Sequence, residues 1–145
     1  MNKKMIILSV ALASALVLLG VYLLFSFNRI DTDFATEATL RFSVRDDVTG
    51  IFTNHEFSIT AEADIIALQE IFRGRTRRDI PACGFVNSVS ITMYGEGRSI
   101  TFCPALDGCP IIRINDSERF INISYSQRAI LDDIFARFGF TFPAI

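Results

Sequence analysis

The sequence predicts an α+β protein: an N-terminal single transmembrane helix, then one antiparallel sheet of about six strands, in the order β-β-α-β-β-β-β-α with both helices on one face. Three observations carry this prediction. Residues 5–27 form an apolar run without a charge. Period-two alternation of apolar and polar residues recurs in short segments between 39 and 124. Two longer segments, 61–73 and 125–138, place apolar residues at helical spacing.

The apolar run "MIILSVALASALVLLGVYLLFSF" exceeds the roughly 20 residues that cross hydrocarbon as a helix, the form that satisfies its own backbone polar groups there. Lys3 and Lys4 precede it, and Asp31, Asp33 and Glu37 follow it, a bias that favours a cytoplasmic N-terminus. A cleaved signal peptide is the competing reading. Its apolar region is usually shorter and is followed by a small-x-small site, whereas Ala11, Ala13 and Ala15 lie inside the run. The chain then divides into a cytoplasmic start (1–4), a signal anchor (5–27), a juxtamembrane linker (28–37) and an extracytoplasmic domain (38–145). About 115 residues outside the span suit one core rather than two.

Within the domain, "TLRFSVR" (39–45) puts Leu40, Phe42 and Val44 on one face and Arg41, Ser43 and Arg45 on the other. The turn "DDVTG" leads to a second strand reaching about residue 60, with Phe57 and Ile59 inward, which makes a hairpin. Thr60 is the expected cap of a helix at 61–73 carrying Ile65, Leu68 and Phe72. Strands at 89–94, 98–103, 110–114 and 119–124 follow, joined by "GEG" and "NDSE" turns. Ser124 and Gln127 have the spacing of a capping box opening a last helix with Ile130, Leu131, Ile134, Phe135 and Phe138.

Three cysteines, one histidine and no tryptophan leave little material for catalysis. The formal net charge is −2, and every cation after Lys4 is an arginine; this balance argues against nucleic acid as the main partner. Adjacent acids such as Asp46–Asp47 and Asp132–Asp133 do not converge as an acid–base pair.

The cysteines admit two pairings. Strand parity puts Cys103 and Cys109 on the same sheet face, which makes them the disulfide candidate. The rival, Cys83–Cys109, closes a longer loop, for which chain entropy predicts about 3.5 rather than about 2 kcal/mol. Spacing alone does not choose between them. Cys83, Cys103, Cys109 and His55 sum to a Cys₃His zinc set, but the spacing lies outside that of structural zinc sites, so neither metal nor cofactor is expected.

"RGRTRR" places Arg73, Arg75, Arg77 and Arg78 just after the first helix, where guanidinium groups suit an anion or a lipid headgroup. The expected function is a membrane-anchored binding or accessory domain engaging a protein or cell-envelope component, its own helix holding it to the membrane. The alternatives are an envelope hydrolase or thiol-dependent enzyme using Cys83 and His55, and a structural subunit of a membrane complex.

Overall fold

A computed structural model describes residues 12–22, 29–78, 81–115 and 117–143. Helix α1 spans 12–22. The remaining elements are β1 (Arg29–Ile30), β2 (Glu37–Arg45), β3 (Phe52–Ile59), α2 (Glu62–Phe72), β4 (Gly74–Arg75), β5 (Arg77–Arg78), β6 (Ser90–Gly95), β7 (Arg98–Pro104), β8 (Ile111–Ile114), β9 (Arg119–Asn122) and α3 (Tyr125–Arg137). The strands form a seven-stranded sheet in the order β3-β2-β6-β7-β8-β9-β5 and a separate two-stranded sheet, β1-β4. Every pairing is antiparallel.

Alternation fixes which face is buried. Ala38, Leu40 and Phe42 of β2, Ile91 and Met93 of β6, Phe102 of β7 and Ile112 and Ile114 of β8 join one core with Leu68, Ile71 and Phe72 of α2 and Leu131, Ile134 and Phe135 of α3. Phe72 stacks on Phe102 with ring centroids 4.1 Å apart. The segment after α3 returns Phe140 to Phe42 and Phe142 to Phe135, at 5.0 Å each. Arg137 of α3 donates to both carboxylate oxygens of Asp64 on α2, at 2.7 and 3.1 Å, and that bond raises the Arg137 pKa.

The helix ends differ. Ser124 and Gln127 do form the capping box on α3, satisfying two orphan N–H groups reciprocally. The N-cap of α2 is Ala61, not Thr60, and no side chain bonds there; Glu62 and Asp64 in the first turn complement the helix dipole instead. The described part of the expected linker, 29–37, carries buried Ile30, Thr32, Phe34 and Ala35. It is sewn to α2, since Thr32 Oγ1 donates to the Gln69 carbonyl and Gln69 Nε2 donates to the Ala35 carbonyl.

Two expectations are corrected. Residues 5–11 and 23–27 of the expected span lie outside the described residues. Among the described residues no helix is long and apolar enough to cross a membrane. The predicted transmembrane helix is therefore not supported, nor is the single-pass localisation with the N-terminus cytoplasmic and the C-terminal domain extracytoplasmic. The fold is α+β but richer in sheet than predicted, with nine strands in two sheets among the described residues and three helices. The added strands β1, β4 and β5 are two residues each, too short to show alternation, and tertiary packing alone gives them partners.

Candidate functional site: an arginine-lined sheet edge

The disulfide joins Cys83 to Cys109 across 26 positions, with Cα atoms 6.3 Å apart. Cys103 remains a buried thiol. Register explains why the Cys103–Cys109 candidate fails: β7 and β8 put Arg113, not Cys109, opposite Cys103, and pairing stops at Pro104↔Ile112. Cys109 lies in the loop beyond, facing the segment that carries Cys83. His55 belongs to an aromatic stack with Phe42 at 5.2 Å and Phe57 at 6.3 Å. The structure does not assemble a Cys83–His55 pair, because the Cys83 sulfur is already bonded to Cys109.

The arginine run is not a loop. Arg73 is the C-cap of α2 and pairs with Asp33. The chain then forms β4 against β1 and, after Thr76, β5 against β9. This passage between two sheets brings in arginines that the sequence did not group with the run. Arg29 lies directly opposite Arg75 in one ladder, and Arg78 directly opposite Arg119 in the other. Arg29, Arg73, Arg75, Arg77 and Arg78 are exposed and Arg119 is half-buried. Arg119 Nη2 donates to Thr76 Oγ1 at 3.2 Å. Beside the first ladder, a recess of about 270 Å³ is lined by Arg29, Ile30, Asp31, Asp33 and Arg73.

A second concavity, of about 320 Å³, lies on the sheet face away from the helices, lined by Arg41, Asn87, Ser90, Thr92, Thr101, Cys103 and Asn115. Its polar groups are largely committed to one another. Arg41 donates to Glu56, the Thr92 and Thr101 hydroxyls meet at 3.0 Å, and Asn115 Oδ1 accepts from the Thr101 N–H. Arg113, at its margin, donates to Asn87 Oδ1. Among the described residues its lining holds hydroxyls, amides, one thiol and Arg41, with no carboxylate or imidazole.

Fold and site together define a small α+β domain whose overall charge is acidic but six of whose twelve arginines gather where the two-stranded sheet meets the β5 edge of the larger one. Comparison with family models, with curated proteins and with solved structures returns no match.

Proposed function

We propose that this chain is a binding domain whose arginine edge holds an extended acidic segment of a partner protein. The observation that carries this reading is the register: two arginine pairs directly opposed, Arg29↔Arg75 and Arg78↔Arg119. A partner's carboxylate lying across either pair forms charge-assisted, bidentate hydrogen bonds with the guanidinium groups. Strand β5 is also the terminal strand of the seven-stranded sheet, so an extended segment can lie along it and add backbone hydrogen bonds.

Arginines on an edge strand also serve simply to block edge-to-edge aggregation. That role needs charge of either sign and does not explain arginine facing arginine in both ladders. Charge reversal separates the two readings. A glutamate-rich peptide should bind the full chain with salt-dependent affinity, read by fluorescence anisotropy. The variant Arg75→Glu/Arg78→Glu should keep the native circular dichroism and weaken that binding at least about tenfold. Equal peptide affinity in the variant, or no binding by the native chain, would refute the proposal.

The enzyme alternative is the weaker reading, since it needs Cys83 as a nucleophile and that sulfur is bonded to Cys109.

A further inference from the structure

One cluster of metal-ligating atoms stands apart from the arginine edge. The Cys83 and Cys109 sulfurs and a carboxylate oxygen of Asp107 all lie within 4.8 Å of one another, and the three residues are half-buried. We propose that reduction of the Cys83–Cys109 bond converts this loop into a site for a thiophilic divalent cation such as Zn²⁺, with the two thiolates and the Asp107 carboxylate as ligands and water in the fourth position.

The argument rests on what holds the loop once the sulfurs part. The Asp107 carboxylate accepts from the Gly84 N–H at 2.9 Å and from the Cys109 N–H at 3.4 Å, bridging the backbones next to both cysteines. The Leu106 N–H donates to the Gly84 carbonyl at 2.8 Å. From α3, Arg128 Nη1 donates to the Ala105 and Cys109 carbonyls at 2.8 and 3.1 Å. These bonds hold the two segments in place independently of the disulfide, so the reduced sulfurs stay neighbours. They then need only to separate to about 3.8 Å, the ligand spacing set by Zn–S bonds near 2.3 Å in a tetrahedron. A carboxylate has about four lone-pair positions, so Asp107 can keep its N–H bonds while coordinating. Two sulfurs and one oxygen form a donor set that suits zinc.

The chemistry balances. A phosphine, which takes the oxygen of a water molecule and leaves its two protons, or a dithiol, which gives up its own two protons and becomes a disulfide, supplies two electrons as the S–S bond breaks to two thiols. Metal binding forms two metal–sulfur bonds and one metal–oxygen bond and releases both thiol protons. A peroxide oxidant reverses this by taking two electrons, re-forming the S–S bond and expelling the ion.

The test uses the full chain, reduced with a phosphine, freed of reductant and titrated with Co²⁺ without air. The expected result is one equivalent bound, with the near-ultraviolet thiolate-to-cobalt band and the visible bands of a four-coordinate ion, displaced by Zn²⁺; the oxidised chain shows neither. Asp107→Asn keeps an oxygen acceptor for the two N–H groups but is a poorer ligand, and it should weaken binding at least about tenfold, since losing even a group that only orients a ligand costs that much. Cys103→Ala should leave the bands in place. The proposal is overturned if the reduced, folded chain shows no thiolate band, if Asp107→Asn binds equally well, if Cys103→Ala abolishes the signal, or if reduction unfolds the chain by circular dichroism.

Discussion

Arg128 is 4% exposed, on the helix face it shares with the buried Leu131 and Phe135. Its Nε donates to Asp132 at 2.7 Å and its Nη1 to two loop carbonyls, while the guanidinium lies 4.3 Å from the Phe142 ring centroid. One residue thereby ties α3 to the disulfide loop and the C-terminal segment. Ile130, which the apolar stripe places inside, is 48% exposed. The face turned inward is the one that carries Arg128, whose burial those partners make tolerable, since a buried charge must be paired and hydrogen-bonded. Gly95 works through the absence of a side chain: a Cβ there would collide with the Phe34 carbonyl oxygen, which packs closely because the Thr36 N–H donates to the neighbouring Tyr94 carbonyl at 2.9 Å. The clash is with backbone, which cannot rotate aside. Gly95→Ala should therefore destabilise the chain by about 2–3 kcal/mol, measured by urea unfolding. A loss below a few tenths would mean that the 30–36 segment is not seated as described.

Among the elements, the β2–β3 hairpin depends most on one titratable group. Asp46 Oδ1 accepts from the Val48 N–H, the Thr49 N–H and the Thr49 hydroxyl at 2.9, 2.6 and 2.9 Å. These bonds, the Thr49 N–H first, hold the carboxyl below its ordinary value. A depressed folded pKa means that the stabilisation is complete above the unfolded aspartate value and is lost as pH falls through the lower, folded one. The Val48 and Thr49 amide resonances should titrate together with a midpoint below that of an ordinary aspartate, and Asp46→Ala should remove the step. A midpoint at or above the ordinary value would count against the turn. The same hairpin shows what the sequence could reveal. Clean alternation in 39–45, 89–94 and 98–103 coincides with β2, β6 and β7, and the Asp-Asp-Val-Thr-Gly run with the turn, because each signal is local. β1, β4 and β5 carry no local signal: two residues become a strand only when the rest of the fold supplies a partner. The arginine edge was half-legible for that reason, with Arg73, Arg75, Arg77 and Arg78 adjacent in sequence but Arg29 and Arg119 joined to them only by register.

At the scale of the whole molecule, a chain of net charge −2 gathers six of its twelve arginines at the passage between its two sheets. The disulfide secures the long excursion from β5 to β6 against the β7–β8 loop. Helix packing supplies the core on one face, yet the segment around Cys83 contributes little to it: Gly84 is exposed and Phe85 and Val86 are only half-buried. The crosslink therefore acts chiefly on the unfolded chain, where closing a loop of 26 positions removes entropy equivalent to about 3.5 kcal/mol. Cys83→Ser/Cys109→Ser should lower the unfolding free energy by about that amount and raise the urea m-value, because the open chain exposes more surface when it unfolds. Its native-state circular dichroism should stay unchanged, since the carboxylate and Arg128 bonds to the loop remain. A loss well above this, with altered native circular dichroism, would mean that the bond builds the fold rather than securing it; reduction would then unfold the chain.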